Sequence, residues 1–219
     1  MDDIVNIFFD KEFEHKINNN ILFYEFNHDE VKEYVYKILN EPICKYVEYI
    51  NSRNMEYKLS SKQIFQFSNV DDFTYNFCSK IIKIDNPGLA CKEVGIVLSD
   101  DKNKSDGAYV KYGENHAKMA RELGLAFELY KTYYVSGIGY IYMELSKEDR
   151  YRLLVRMIIR TDLIQYLVTN NGKVNLREKL NFLSDSTYLR RCSSLKRVLF
   201  MLKDSKEYDF GEMISNIKY

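Results

Sequence analysis

The sequence predicts a mainly α-helical protein that carries one small β-hairpin. The chain has 219 residues but only 2 Pro and 9 Gly, so few residues interrupt helices. Apolar residues make up 46% of the chain and recur at helical spacing in many segments, which excludes a disordered polypeptide. The exception is the stretch 126–135, where two short runs rich in aromatic and β-branched residues favour paired strands.

The segment Gly107 to Leu145 is the one around which the rest of the chain is organised. Ala117, Ala120 and Leu123 recur every three residues and predict the buried side of a helix. Gly124 follows the last apolar position and is placed to end that helix. The sequence therefore predicts a helix that leads directly into a hairpin.

The flanks of this helix are also informative. A short helix is expected from Leu89 to Leu98, and the polar stretch Asp100 to Gly107 is longer than the tight turn of a simple helix-turn-helix. Lys131 is expected at the tip of the hairpin. Gly137 and Gly139 are expected to adopt positive φ angles where the second strand ends.

A helix that ends in Leu-Gly-Leu before a hairpin resembles the second half of a winged helix-turn-helix. From about Asp85 to Lys203 the chain also resembles the winged-helix region of a prokaryotic family found in or beside restriction-modification and AAA-type defence proteins. The matching pieces are Tyr112-Gly-Glu-Asn-His-Ala-Lys, Leu123-Gly-Leu, Tyr134-Val-Ser-Gly-Ile-Gly, Leu145-Ser-Lys-Glu-Asp-Arg and Leu183-Ser-Asp-Ser-Thr-Tyr-Leu-Arg-Arg-Cys-Ser-Ser-Leu-Lys. The family often has Leu-Thr where this chain has Val135-Ser136, a change that keeps the hydroxyl group. The resemblance implies that the helix enters the major groove of double-stranded DNA and that the hairpin forms the wing.

Ten polar side chains are the predicted contacts to nucleic acid. Asn can form two hydrogen bonds with adenine in the major groove, whereas Lys and Arg mainly meet phosphate. Two alternatives stay open, namely a solvated helix face for the whole set and a packing or capping role for the lone histidine. The predicted contacts are Lys111, Asn115, His116, Lys118, Arg121, Lys131, Arg190, Arg191, Lys196 and Arg197.

The net charge of zero hides an asymmetry along the chain. Residues 1–72 hold 8 cationic and 14 anionic side chains (−6), whereas residues 147–203 hold 13 and 5 (+8). Such a division predicts an anion-binding region beside a region that contacts something else, such as a protein partner or a second subunit through the acidic N-terminal part. The arginines and lysines near residue 190 then contact either phosphate or that acidic part, and ordinary solvated surface is the remaining alternative.

Composition divides the chain into four regions: an acidic helical part (1–68), the winged helix-turn-helix (69–146), a basic helical part (147–203) and a tail (204–219). Caps and apolar stripes predict further helices in the flanking parts. Their expected bounds are Asn27 or Asp29 to Leu39, Pro42 to Ile50, Asn69 or Asp71 to Ile82, Ser146 to Arg160, Leu163 to Val168, Val174 to Leu183 and Tyr188 to Leu202. An extended segment is expected at Ile21–Phe26 and a turn at Asp85–Gly88.

Two of these helices have a predicted solvent face that bears on function. In the helix that ends near Arg160, the arginines 150, 152, 156 and 160 are expected to lie outside. In the helix from Tyr188 to Leu202, Leu189 is expected to begin the buried stripe that continues with Cys192 and Leu195, while arginines 190 and 191 lie outside.

Several function classes find no support in the sequence. The four cysteines are scattered, which favours reduced thiols over a zinc site or disulfides, and no apolar run spans a bilayer. No glycine-rich phosphate loop is present, so no nucleotide or other cofactor is predicted. The expected function is a cytoplasmic, non-catalytic DNA-recognition component, with an interaction module or a metal-dependent nuclease subunit as alternatives.

Overall fold

The computed structural model describes residues 3–10, 27–53, 55–61, 63–66, 69–82, 88–101 and 103–219. The chain is mainly helical with one small antiparallel sheet, as the sequence predicts. The helices are α1 Ile4–Phe9, α2 His28–Asn40, α3 Ile43–Ser52, α4 Val70–Ile82, α5 Cys91–Leu98, α6 Asp106–Glu122, α7 Gly137–Glu144, α8 Lys147–Arg160, α9 Asp162–Thr169, α10 Leu176–Lys179, α11 Asp185–Asp204 and α12 Gly211–Ser215. The strands are β1 Leu89–Ala90, β2 Ala126–Leu129 and β3 Thr132–Val135.

Residues at the N-terminal ends of α2 and α3 determine where these two helices begin. The Asn27 side chain accepts a hydrogen bond from the Glu30 backbone at 3.2 Å and begins α2, as expected for an N-cap. Pro42 precedes the first residue of α3, where its missing N–H costs nothing. The expected extended segment at Ile21–Phe26 and most of the turn at 85–88 lie outside the described residues. No helix in the described ranges is long and apolar enough to cross a bilayer.

The sheet has the strand order β1-β3-β2, with both pairings antiparallel. The hairpin β2–β3 is confirmed, and so is the helix expected from Leu89 to Leu98, apart from its first two residues. Leu89 pairs with Tyr133 as a strand, and the helix begins only at Cys91. A helical pattern cannot reveal such a pairing, because the partner strand lies more than forty residues further along the chain.

The end of α6 is confirmed at Gly124, which has a φ of +68°. The Gly124 N–H donates to the Arg121 carbonyl at 2.9 Å, and the Leu125 N–H donates to the Ala120 carbonyl at 2.9 Å. These two hydrogen bonds form a Schellman motif, which needs glycine at the left-handed position. The motif turns the chain sharply from α6 into β2.

Gly137 and Gly139 do not have the positive φ angles that the sequence analysis expects. They begin α7, whose N-cap Ser136 accepts a hydrogen bond from the Gly139 N–H at 3.0 Å. Gly139 is needed for space, because a Cβ there would lie 2.5 Å from the Leu125 carbonyl oxygen. The same Ser136 hydroxyl donates to the Gly124 carbonyl at 2.7 Å, which joins the two ends of the hairpin.

Helices α5 and α6 cross at very short range through two glycines. A Cβ on Gly95 would lie 2.0 Å from the Tyr109 carbonyl oxygen, and one on Gly113 would lie 1.8 Å from the Cys91 carbonyl oxygen. Both distances are far below a van der Waals contact, and the obstructing atoms are backbone. The orientation of α6 therefore depends on the absence of side chains at these two positions.

Arg156 lies inside the protein, which corrects the predicted solvent face of α8. Only 1% of the residue is exposed, and it joins the C-terminal end of α2. Its Nε donates to the Ile38 carbonyl at 2.9 Å, and its Nη2 donates to the carbonyls of Leu39 at 3.1 Å and Glu41 at 3.0 Å. Glu207 supplies the counter-ion, with an Nη2–Oε2 distance of 2.8 Å. These acceptors replace the water that a buried guanidinium loses.

Residues 204–219 pack against the rest of the protein instead of forming the expected tail. Phe210, Met213 and Ile217 are buried in the common core. The Lys218 carbonyl accepts a hydrogen bond from the Leu176 N–H at 2.8 Å, next to a parallel bridge between Asn175 and Lys218. The expected helix Val174–Leu183 is reduced to the single turn of α10, because its backbone groups bond to this terminal segment.

The buried side of α11 differs from the prediction at more than one position. Leu189 is 69% exposed, whereas Tyr188 and Arg191 are buried beside the correctly predicted Cys192 and Leu195. One continuous hydrophobic cluster joins residues from all four regions that composition separates, from Val5 to Ile217.

We expect Gly113→Ala to destabilise the protein by about 2–3 kcal/mol or more, because the added methyl group overlaps backbone of α5. Gly107→Ala is the matched control, because a Cβ on Gly107 meets no atom of the described residues within 4 Å. That control should leave the free energy of unfolding unchanged or raise it by about 0.5 kcal/mol. Urea denaturation of the three proteins measures both effects, and equal stability of Gly113→Ala and the parent would contradict the observed helix crossing.

Replacement of Arg156 by Met should cost about 3–5 kcal/mol, because Glu207 and the carbonyls at the end of α2 lose their partner. The exposed Arg190→Met is the matched control and should change stability by less than about 0.5 kcal/mol. Thermal unfolding followed by circular dichroism compares the variants. Identical melting of Arg156→Met and Arg190→Met would show that the buried cluster contributes nothing.

Candidate nucleic-acid interface

The candidate interface is the polar side of α6 together with the hairpin that follows it. Lys111, Asn115 and Lys118 lie at positions i, i+4 and i+7 and therefore share one side of the helix. Arg121 continues this side and forms an ion pair with Glu128 of β2 at 2.5 Å. The last turn of α6 is thereby attached to the first strand of the hairpin.

The cations of α6 already have carboxylate partners within the protein. Glu114 contacts Lys118 one turn further along the helix, and it lies 3.3 Å from the Lys111 ammonium group. Lys118 first and Lys111 second hold the pKa of the Glu114 carboxyl below its usual range. Lys111 is exposed, whereas Lys118 is half-buried. Exposed ion pairs contribute only about 0–1 kcal/mol, so a phosphate group can replace the carboxylate at Lys111 at small cost.

Asn115 lies between Lys111 and Lys118, but among the described residues its side chain is not engaged with a neighbouring group as theirs are. It is half-buried, and within the described part of the chain its carboxamide makes no hydrogen bond. A free carboxamide can donate and accept hydrogen bonds at the same time, as the edge of adenine in the major groove requires.

His116 is not on this surface. Only 9% of the residue is exposed, and its ring packs against Phe73 and Tyr112, with ring centroids 5.3 Å and 4.1 Å away. The Nδ1 donates a hydrogen bond to the Tyr112 carbonyl at 2.7 Å, which leaves the neutral ring with its lone pair on Nε2. Burial lowers the pKa of the imidazole. The predicted contact to DNA is therefore corrected in favour of the packing alternative.

Lys131 is at the hairpin tip, as predicted, and its neighbour Tyr130 is the residue that the sequence analysis missed. Both have positive φ angles, +63° and +49°, in the two-residue turn between Leu129 and Thr132. Turns of this type favour Asn-Gly, because other residues are strained there. Tyr130 is nevertheless 92% exposed and gains no burial that would offset the strain. In the sequence, the signal that could have identified Tyr130 as a turn residue was the two-residue spacing between the strands.

The four predicted contacts on α11 fall into two groups. Arg190, Lys196 and Arg197 are exposed, and the Lys196 ammonium lies 4.3 Å from the centroid of the Tyr219 ring. Arg191 is only 8% exposed, and its Nη1 donates to the Ile64 carbonyl at 3.5 Å. Its burial corrects the expected contact, because the backbone of the chain covers the guanidinium.

The structure thus assembles Lys111, Asn115, Lys118 and Arg121 on one helix, with Lys131 on the hairpin attached to it. The exposed cations of α11 belong to a different helix, which packs against α8. In the described ranges no group of three or more His, Cys, Asp or Glu side chains is arranged to hold a metal ion. No protein-family model, curated protein or solved structure matches the chain.

Exchange of Tyr130-Lys131 for Asn-Gly should raise the free energy of unfolding by about 1–2 kcal/mol, because both new residues accept positive φ angles. The control is the double alanine variant of the same two positions, which removes the side chains but keeps the strain and should give no such gain. Differential scanning calorimetry measures the change. A lower melting temperature for the Asn-Gly variant would show that the turn is not strained.

Proposed function

We propose that this chain is a DNA-binding winged-helix protein that recognises duplex DNA without cutting it. The order α4, β1, α5, α6, β2, β3, with strand order β1-β3-β2, is the order of elements in winged-helix domains. The observation that carries the proposal is the exposed polar side of α6 directly before a hairpin that projects an aromatic and a cationic residue. At 17 residues α6 is about 25 Å long, and a helix fits the major groove of B-DNA.

In this proposal the residues of the interface have different roles. Asn115 contacts a base edge, whereas Lys111, Lys118 and Arg121 contact phosphates and exchange their present carboxylate partners for them. The tip residues Tyr130 and Lys131 contact the sugar-phosphate backbone beside the groove.

The proposed setting is the cytoplasm of a prokaryotic cell, in a restriction-modification or phage-defence system. This setting rests on the resemblance of the segment from about Asp85 to Lys203 and on the widely spaced cysteines. The recognition component would then depend on a separate nuclease or methyltransferase for chemistry, because the best candidate carboxylate, Glu114, lies on a helix between two lysines.

A second candidate is a protein-interaction module that uses the same helix and hairpin. The observation in its favour is charge compensation, because residues 73–146 contain 9 cationic and 9 anionic side chains. Such a surface attracts DNA less from a distance than a basic one does. A direct binding measurement distinguishes the two candidates.

We expect the protein to bind duplex DNA, with an affinity that falls by about 0.9 logarithmic units per phosphate contact for each tenfold rise in salt. Asn115→Ala should remove the preference at one base position, at a cost of roughly 1–3 kcal/mol, and should leave the salt slope unchanged. Lys111→Ala should instead weaken binding to all sequences and reduce the slope by about one contact.

Selection from a random duplex library, followed by fluorescence anisotropy at several salt concentrations, measures these effects. Asn40→Ala, an exposed asparagine on α2, is the matched control and should behave like the parent. Absence of duplex binding at low salt would refute the DNA proposal and favour the protein-interaction module. Binding with an unchanged sequence preference in Asn115→Ala would show that another element reads the bases.

A further inference from the structure

The outer side of α11 exposes two large apolar side chains three helical turns apart. Leu189 is 69% exposed and Phe200 is 59% exposed. Ser193 and Lys196, also exposed, lie between them at positions i+4 and i+7, so all four share one side of the helix. An apolar residue at each end and a small residue between them form a shallow surface on which another helix can lie.

The charged side chains on this surface are all cationic. From 186 to 203 the helix contains no Asp or Glu, whereas Arg190, Lys196 and Arg197 project outward beside the apolar pair. In the described ranges, none of these three cations has a carboxylate within ion-pair distance. The outer side of α11 therefore differs from α6, whose cations are already paired within the protein.

A fourth cation, Arg191, lies on the buried side of the same helix. Among the described residues its Nε has no hydrogen-bond partner, and its hydrogen bond to Ile64 is long at 3.5 Å. Around it, the described residues offer no carboxylate within ion-pair distance. A buried charge without a counter-ion is costly, and a nearby external anion lowers that cost. Arg191 thus adds to the positive charge of α11 from its buried side.

We propose that the outer side of α11, formed by Leu189, Arg190, Ser193, Lys196, Arg197 and Phe200, docks an acidic amphipathic helix of a partner protein. Apolar residues of the partner cover Leu189 and Phe200, and its flanking carboxylates pair with the arginines. This is helix-to-helix recognition through apolar anchors with complementary charge. The proposal is independent of DNA binding through α6.

Two other occupants fit the surface less well. A second copy that used the same side would place its own Arg190, Lys196 and Arg197 against identical cations, and like charges oppose such pairing. Nucleic acid would satisfy the cations but would leave Leu189 and Phe200 against a polar backbone, with no apolar surface to cover them. The combination of anchors and cations favours an acidic helix over both.

The test uses the full chain and a fluorescein-labelled synthetic helix, long enough to span the surface, with two leucines three turns apart and glutamates beside them. A second peptide with glutamine in place of each glutamate controls for charge. Fluorescence anisotropy should show saturable binding of the acidic peptide and binding at least about tenfold weaker for the glutamine peptide.

Two double variants separate the contributions of charge and apolar contact. Arg190→Glu with Arg197→Glu, and Leu189→Ser with Phe200→Ser, should each weaken binding of the acidic peptide by about tenfold or more. Lys58→Glu with Lys173→Glu carries the same change in net charge at exposed sites elsewhere and should bind like the parent. All six positions are exposed, so the variants should fold, and circular dichroism checks this.

Three results would overturn the proposal. The first is absence of saturable binding of the acidic peptide, and the second is equal binding of the two peptides. The third is a charge-reversed variant that loses affinity for duplex DNA as strongly as for the peptide, while the serine variant keeps full peptide binding. That third result would assign α11 to phosphate contacts. Because duplex binding by the parent is measured separately, failure here is distinguishable from failure of the DNA proposal.

Discussion

The rest of the structure depends on the burial of one charged group, the guanidinium of Arg156. It donates to three carbonyls at the end of α2, to the Arg152 carbonyl of its own helix, and to both carboxylate oxygens of Glu207. Hydrogen bonds of this kind replace the water that a buried charge loses. Three distant parts of the chain, namely α2, α8 and the segment before α12, must therefore assemble together.

This assembly supports the helix and hairpin of the candidate interface from behind. Helix α2 packs against α7 as well as α8, and α7 begins directly after Ser136, the residue that follows the second strand of the hairpin. The Ser136 hydroxyl in turn holds the Gly124 carbonyl at the end of α6. Glycines 95 and 113 fix the other side of α6 against α5. The interface helix is thus held at several points, whereas the hairpin tip projects with a strained backbone and an exposed tyrosine.

The two surfaces considered for binding differ in the state of their charges. On α6 each cation has an internal carboxylate, so binding of an anion is an exchange of partners and geometry decides which anion is preferred. On α11 the cations have no such partners in the described ranges, and exposed apolar residues stand beside them. Uncompensated charge attracts anions of many kinds, so the apolar residues there define the class of partner. The overall neutrality of the chain conceals this difference.

The sequence by itself determined the features that depend on neighbours in the chain. The cap at Asn27, the stop at Gly124, the hairpin and the buried alanines of α6 were predicted, because caps, turns and periodicity act within a few residues. The exposure of Lys111 was predicted for the same reason.

Only the tertiary structure decided the burial of Arg156, Arg191 and His116, the strand at Leu89 and the packing of the C-terminal segment. In most of these cases the partner is distant in sequence; the Ile38 carbonyl that accepts a hydrogen bond from Arg156, for example, is 118 residues away. For His116, helical periodicity allows either a buried or an exposed position. From the sequence alone, a charged residue in a helix is predicted to be solvent-exposed. Only the folded structure shows the distant partner that allows it to be buried.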